Sequence, residues 1–351
     1  MALPLGGLLI GLMLGAIVFR TNFCAMGSIS DMVSFGDYRR FRAWILASAV
    51  AIIGTQWLSH AGVVDLSKSM YLAPNLNWLG NILGGALFGF GMVFGGGCAT
   101  RNLARIGGGD LRSLLTVIVL GIAAYVAMTG ILGPGRAALE QATSVALKAP
   151  SQSLVDIVAG AFNARSGATQ MGVTATVLGL MLAYCFADAR FRGSPLHVAS
   201  GIGVGMCIVA GWALTGLTFD ELADRPMAPV SLTFVRPSGD TLEWLQRSTA
   251  LGLPGFGVAS VFGTILGAFL TAKATGKFRI TTFSDTGDTT RHLGGAVLMG
   301  IGGIMALGCT IGQGITGMST LATGSFLTFA GLIVGGIIGI RTLEALLMRE
   351  A

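Results

Sequence analysis

The sequence predicts an all-α polytopic membrane protein, and three observations support this fold class. Of the 351 residues, 53% are hydrophobic and 11% are charged, whereas about a quarter of the residues of a soluble globular protein are charged. The mean hydropathy is +0.76. The apolar residues form long runs without the period-two alternation of a membrane barrel strand, so we expect helices to satisfy the backbone in lipid.

The apolar runs predict about nine transmembrane helices, because each crossing needs roughly 20 apolar residues. Charged residues and Pro/Gly clusters separate the runs. The predicted spans are Leu3–Phe19, Phe41–His60, Trp78–Phe94, Leu111–Leu132, Thr169–Ala187, Leu196–Leu214, Leu251–Ala274, Leu293–Leu307 and Phe326–Leu347.

The basic residues predict the orientation of a single membrane domain that covers residues 1–351. Cytoplasmic loops of multi-span proteins collect Lys and Arg, which predicts a cell inner membrane protein with a periplasmic N-terminus and a cytoplasmic C-terminus. Segments 59–77, 133–168 and 218–249 carry mixed or acidic charge. Segment 133–168 is predicted to be an exterior connection between repeat-containing halves, roughly 1–135 and 169–351.

The chain repeats itself. LGGALFGFGMVFGGGCATRNLARIGGG, from Leu83, matches LGGAVLMGIGGIMALGCTIGQGITGMS, from Leu293. Both run from LGGA through a glycine-spotted apolar helix to Gly-Cys-small. A weaker copy, from Leu8, places Cys24 at the same point.

A fourth copy is GIGVGMCIVAGWALTG, from Gly201, and here Trp212 is predicted to take the position of Cys309. With the predicted topology, the copies from Leu8 and Leu83 run inward and those from Gly201 and Leu293 run outward. This is an inverted repeat, and transporters place their substrate site at broken helices where such halves meet.

Each repeated cysteine lies where a long helix ends and a short re-entrant half-helix begins, such as Cys98–Ile106 or Thr310–Leu321. Three adjacent glycines before Cys98 favour a backbone break. The unpaired N–H groups and the positive dipole end of a short helix face that break, which predicts an anion site. Arg101 and Arg105 would add positive potential beside it.

The repeated thiols narrow the choice of anion. A thiol in apolar surroundings remains protonated and tolerates a soft anion, which a thiolate would repel. Cys24, Cys98 and Cys309 therefore favour an anion that exposes sulphur. Two alternatives remain: a permease for a soft metal ion or selenium compound, since thiols also bind soft metals, and a membrane thiol-redox protein, which would be expected to show a close cysteine pair.

Other functions are not indicated by the sequence. No cofactor is predicted, and ATGKFRI from Ala274 lacks the upstream glycine and the following Ser/Thr of a P-loop. Neither a nucleophile elbow nor a zinc-protease motif occurs, so the protein is predicted not to be an enzyme. The Lys/Arg blocks are too short to predict nucleic-acid binding.

Three motifs, NFCAMGSISDM, GGGCATRN and LGCTIGQG, resemble those of the YeeE/YedE family of sulphur-compound transporters. The resemblance covers nearly the whole chain. It implies an hourglass-shaped protein that passes thiosulfate inward along three central cysteines. It also implies a cytoplasmic partner, a sulfurtransferase of the TusA type.

Carried onto this chain, the resemblance gives the three central cysteines, Cys24, Cys98 and Cys309. The predicted substrate-binding residues are these three and their neighbours in the motifs, Thr100, Arg101, Thr310 and Gln313. The chain departs from the family pattern at Arg101-Asn102, because thiosulfate-transporting members carry a glycine soon after the central GGCAT.

Overall fold

A computed structural model describes residues 1–162, 167–221, 227–283 and 285–350, and this part is almost entirely α-helical. The predicted connection 133–168 contains two helices, and its residues 163–166 lie outside the described residues, as do 222–226 of the acidic segment 218–249. The α-helices are α1 (Ala2–Thr21), α2 (Ala25–Phe35), α3 (Arg39–His60), α4 (Trp78–Phe94), α5 (Ala99–Gly107), α6 (Leu111–Met128), α7 (Gly133–Thr143), α8 (Leu154–Phe162), α9 (Gly167–Phe186), α10 (Ala189–Arg192), α11 (Pro195–Leu217), α12 (Val235–Leu251), α13 (Phe256–Ala274), α14 (Thr286–Met305) and α15 (Thr323–Glu350).

Five further elements are short. Residues 310–319 are helical, with a π-helical turn at Gly312–Gly317. Strands β1 (Asn75–Leu76) and β2 (Val145–Ala146) form an antiparallel pair, and two 3-10 turns, Leu66–Lys68 and Met70–Leu72, precede β1.

Eight helical segments in the described part of the chain are long and apolar enough to cross a membrane, which confirms the predicted fold class. Two of them, Ala2–Phe35 and Trp78–Gly107, each join a long helix to a short one. The ninth predicted span lies in α14. This helix has 20 residues but is not among the eight, because its first two turns read TGDTTRH.

The described helices form four units with the same order: a long helix, a short helix and a second long helix. The units are α1–α2–α3, α4–α5–α6, α11–α12–α13 and α14–(310–319)–α15. Helices α7 to α10 separate the second unit from the third. Helix α12, which takes the place of the short helix in its unit, has 17 residues and is interrupted by non-helical backbone at Arg247. It was missed from the sequence because its charged segment VRPSGDTLEWLQR resembles a loop.

Glycines allow the first long helix of one unit to pack closely on the last long helix of another: α1 packs on α13, and α4 packs on α15. A Cβ atom at Gly11 or Gly15 of α1 would collide with the α13 carbonyl of Ser260 or Thr264. Gly85 and Gly89 of α4 approach α15 in the same way, at Thr328 and Leu332. Such close backbone contact is how membrane helices gain packing energy without a hydrophobic driving force.

The direction of these contacts makes the repeat inverted. Contact positions rise together along α1 and α13, along α4 and α15, and along α3 and α11, so the helices of each pair are parallel. Helix α4 instead meets α14 with Gly84 near Gly302 and Gly91 near Gly295, which is antiparallel. The first long helices of units one and two therefore oppose those of units three and four, as an inverted repeat requires.

Two faces of the helix bundle follow from this arrangement. We call the face where α1, α4, α13 and α15 begin the N-terminal face, and the opposite face, where α3 and α6 begin, the arginine face. Arg39, Arg40, Arg42 and Arg112 lie at the arginine face, where Asp110 and Thr281 also form a backbone bridge between two loops.

Candidate functional site

Three backbone breaks share one local geometry. The residue two positions before each repeated cysteine has a positive φ: 53° at Asn22, 69° at Gly96 and 59° at Leu307. This left-handed conformation ends the long helix. It costs little for glycine but about 1–2 kcal/mol for leucine, so surrounding contacts must hold the break at Leu307.

Each repeated cysteine then begins a short helix. The carbonyls of Cys24, Cys98 and Cys309 accept hydrogen bonds from the amides four residues later, at 3.0, 3.0 and 2.8 Å. No side chain caps α2 or α5, and α2 and α5 occupy the arginine-face half of the protein while 310–319 occupies the other half. The N–H groups at the starts of all three short helices therefore face the middle of the protein. One of them is paired, because the Gly312 N–H donates to Cys309 Sγ at 3.3 Å.

The structure brings the predicted thiols together in a buried row. Cys24 is 5%, Cys98 3% and Cys309 0% exposed. The Cys24 and Cys98 thiols are within hydrogen-bonding reach of each other, and Thr310, the neighbour of Cys309, reaches Cys98. The order from the N-terminal face to the arginine face is Cys309, Thr310, Cys98 and Cys24.

Two hydroxyl groups in this row have no hydrogen-bond partner of normal geometry. Thr100 and Thr310 are 2% and 1% exposed, and neither Oγ1 atom has such a partner, although Thr310 lies near the Cys98 thiol. A buried hydroxyl without a partner costs roughly 1–3 kcal/mol. Both threonines lie within two residues of a repeated cysteine, so their hydroxyls are available donors beside the thiols.

Arg101 closes the arginine-face end of the row. Its guanidinium donates to Asn22 Oδ1 at 2.7 Å and to the Val18 carbonyl at 3.5 Å, and its charge acts on both Cys24 and Cys98. In the part of the chain that the structure describes, no carboxylate pairs with it. A cation thus lies beside the thiols with neutral partners only.

Arg105 contacts the backbone break before Cys98, and the positive potential that its spacing predicts there stays a prediction. Its guanidinium donates to the Gly96 carbonyl at 2.5 Å, and Arg40 donates to the equivalent Asn22 carbonyl at 2.7 Å. Each arginine stabilises a carbonyl that the helix break leaves unpaired. Arg105 therefore supports the backbone break itself.

Gln313 is engaged within the protein. Its Nε2 donates to the Ala306 carbonyl at 2.5 Å, and its Oε1 accepts from the Ser325 hydroxyl at 2.5 Å. These bonds tie the break before Cys309 to α15. Its role in substrate binding stays a prediction.

The prediction that Trp212 takes the position of Cys309 is wrong. Helix α11 continues past Trp212 to Leu217 without a break, and Trp212 Nε1 donates to Ser319 Oγ at 3.0 Å. Gly205 contacts α3 in the same way as Gly300 contacts α6. When the two repeat units are aligned on these glycines, Leu214 takes the position of Cys309. The long Gly-rich run of α11 gave a sequence match in a shifted register.

The missing fourth break is the extended segment 227–234 before α12. The backbone of Phe234 and the side chain of Thr233 lie within hydrogen-bonding reach of the Cys309 thiol, and the Leu232 carbonyl accepts from Thr316 Oγ1 at 2.7 Å. The run SLTFVRP, from Ser231, was the available signal, because its proline lies in the first turn of a helix.

A cavity of about 580 Å³ opens toward the N-terminal face. Thr233 and Gly308, which flank Cys309, belong to its lining. Two arginines, Arg136 and Arg236, and Asp240 also line it. The cavity therefore ends at residues next to Cys309, whose buried thiol is not part of its wall.

The soft-metal alternative gains no support from this geometry. Among the residues that the structure describes, no group of three or more His, Cys, Asp or Glu side chains could hold a metal ion.

Comparisons with known proteins agree with the site. The family model described as Sulphur transport matches residues 20–338. Thiosulfate transporter TsuA of Escherichia coli strain K12 is 26% identical and aligns over 94% of this chain and 92% of its own length. Thiosulfate transporter TsuA of Spirochaeta thermophila is 26% identical over 94% of this chain and 96% of its own length.

A relative that aligns over a shorter stretch of this chain has a higher sequence identity. Probable transporter YedE of Escherichia coli strain K12 is 34% identical over 28% of this chain and 23% of its own length. The family model covers far more than half of the chain and confirms the resemblance seen in the three motifs. The chain therefore belongs to the Sulphur transport (YeeE/YedE) family and is a multi-pass membrane transporter of a sulphur compound, not an enzyme.

Proposed function

We propose that residues 1–351 act as one unit that carries thiosulfate, or a closely related small sulphur oxyanion, across the cell inner membrane into the cytoplasm. The observation that carries the proposal is the buried row of three thiols, each at the start of a short helix, with the unpaired hydroxyls of Thr100 and Thr310 beside them. The relatives named for thiosulfate support this choice of substrate.

The row offers two kinds of contact that suit the two ends of thiosulfate. Sulphonate-type oxygens accept hydrogen bonds from helix N–H groups and from the two threonine hydroxyls. The terminal sulphur accepts weak S–H···S bonds from Cys309, then Cys98, then Cys24. The anion exchanges one set of contacts for the next, and no thiol needs to form a covalent bond.

Weak repeated sites favour flux, because an ion must be held well enough to enter and loosely enough to leave. The carrier need not rock as a whole, since the three cysteines lie on short helices in both halves of the inverted repeat. Arg101 attracts the anion to the Cys24 end of the row, and the anion leaves from there at the arginine face.

The distribution of charge supports the direction. Arginines at the starts of α3 and α6 mark the arginine face as cytoplasmic by the positive-inside rule. The N-terminus is then periplasmic, and α15 ends in the cytoplasm. Thiosulfate emerging there would meet a cytoplasmic sulfurtransferase of the TusA type as the partner that consumes it.

A growth experiment tests this function. A bacterium that lacks sulphate and thiosulfate uptake receives this chain and grows on thiosulfate as the sole sulphur source. The intact protein should restore growth, and Cys98→Ala should abolish it. Cys207→Ala is the matched control, because Cys207 is equally buried, at 3% exposed, but lies in the unbroken α11.

Two results would contradict the proposal. Absence of growth with intact, correctly inserted protein would refute thiosulfate as the substrate. Normal growth with Cys98→Ala would refute the thiol relay while leaving the substrate open to direct transport measurements.

A further inference from the structure

The cavity on the N-terminal face contains a group of acidic and basic side chains that the thiol relay does not use. Arg136 belongs to the wall: it donates to the Ala127 carbonyl at 2.9 Å and to Glu140 at 2.6 Å. Arg236 is held more loosely, since its side chain is 65% exposed and its Nε lies 3.6 Å from Asp240 Oδ2. Arg236 is therefore the cation in this cavity that is best placed to change partner.

Asp240 belongs to an arrangement that requires a bound proton. Tyr125 Oη lies 2.7 Å from Asp240 Oδ1 and 2.8 Å from Glu243 Oε2, and both distances are those of O–H···O hydrogen bonds. A phenol has one proton and can donate only one such bond. For the second bond, the phenol oxygen must accept from a protonated carboxyl group.

The surroundings place this proton on the carboxyl pair. Burial raises the pKa of Asp240, with Glu243 as a further raising influence, while Tyr125 and Arg236 act in the opposite direction. Glu243 is held by Arg247, which donates to Oε1 at 2.9 Å.

Arg136 lines the same cavity as Asp240, with Glu140 as its own carboxylate partner. Arg136 and Arg247 thus each have a carboxylate partner, Glu140 and Glu243 respectively. The exposed Arg236 is shared between Asp240 and the open cavity.

We propose that this cavity is a co-binding site for one small sulphur oxyanion and one proton, in which Arg236 leaves Asp240 to bind the anion and the Asp240–Tyr125–Glu243 group takes up a proton from the exterior solution. The proposal rests on the function proposed above and adds to it a specificity residue and a coupled ion. The resting group already holds the proton that joins Tyr125 to the carboxyl pair. When Asp240 loses Arg236 it takes up a second proton, which replaces the lost positive charge.

Binding a proton together with the anion has a physical reason when the cytoplasmic side of the membrane is electrically negative. An anion entering such a compartment moves against the electrical potential, so binding it together with a proton reduces the charge to be moved. Above the pH at which Asp240 titrates in the anion-free protein, the affinity for the anion should fall by up to about tenfold per pH unit, because each binding event then takes up one proton.

Titration calorimetry of the purified full-length protein with sodium thiosulfate tests the proposal. Measurements in two buffers of different ionisation heat give the number of protons taken up for each anion bound. We expect this number to approach one as the pH rises and zero at acidic pH. Asp240→Asn should bind thiosulfate without proton uptake and with no pH dependence, and Glu243→Gln is the second variant if Asp240→Asn does not fold.

Glu140→Gln is the matched control, because it removes the carboxylate partner of Arg136, which lines the same cavity, and should leave the proton count unchanged. Arg236→Gln should weaken thiosulfate binding at all pH values. Thiosulfate binding without proton uptake at any pH, or with the same uptake in the Asp240→Asn and Glu243→Gln proteins, would overturn the co-binding site. Absence of any thiosulfate binding would instead refute the proposed substrate, and this inference with it.

Discussion

The two unpaired hydroxyls in the cysteine row predict opposite effects on stability and on transport. Replacing Thr100 and Thr310 together by valine keeps the shape of both side chains and removes two buried hydroxyls, 2% and 1% exposed, that have no partner of normal geometry. Each unsatisfied group costs roughly 1–3 kcal/mol. The double variant should therefore be more stable than the parent protein by about 2 kcal/mol, the lower end of the sum.

Transport should change in the other direction. A hydrogen bond to a charged group contributes about 1.5–3 kcal/mol, so losing one should raise the half-saturating thiosulfate concentration about ten- to hundredfold. Thermal unfolding in detergent and uptake of radiolabelled thiosulfate into proteoliposomes give the two values from one preparation.

The matched control is Thr264→Val in α13. Thr264 is fully buried, but its hydroxyl already donates to the Ser260 carbonyl at 2.8 Å, so valine should give no gain in stability and leave uptake unchanged. A double variant that is less stable than its parent and transports normally would refute the reasoning, because the hydroxyls would then have partners within the protein and no role with the ligand.

Three further predictions concern packing, the backbone break and charge. Gly11→Leu should prevent α1 from packing on α13 and abolish folded protein on size-exclusion chromatography, whereas Gly172→Leu, at an open position of α9, should not; equal yields would contradict the packing. Leu307→Gly should raise thermal stability by up to about 1–2 kcal/mol, because glycine adopts the positive φ without the cost that leucine has there, while Leu307→Val should lower it, because a β-branched residue fits a positive φ poorly; a loss of stability in Leu307→Gly would argue against strain at this residue. Arg101→Gln should raise the half-saturating thiosulfate concentration about tenfold, equivalent to ~1.4 kcal/mol, and an unchanged value would remove Arg101 from the path.

The sequence predicts the parts of this fold that depend on apolar length and on local repeats. The bounds of α4, Trp78–Phe94, agree with the predicted span residue by residue, because Asn77 and three glycines mark its ends. Cys24, Cys98 and Cys309 were found because the repeated motif places them at one point of each unit.

Other features depend on contacts that no local pattern contains. Helix α12 escapes prediction because its charged side chains form pairs with each other and with Tyr125 of α6, which makes a polar segment stable next to the membrane helices. The spacing of Arg105 after Cys98 predicts only that it adds positive potential beside the break. Its bond to the Gly96 carbonyl becomes visible only once the break is folded.

The central claim is that the substrate passes beside the three thiols, and its most direct test is a structure of the protein soaked with selenosulfate, the selenium analogue of thiosulfate. The anomalous signal of selenium locates the terminal atom of the anion. We expect a selenium peak within about 4 Å of the Sγ atom of Cys309, Cys98 or Cys24, which is the contact distance of packed atoms. Selenium bound in the protein only at positions remote from all three sulphur atoms would contradict it.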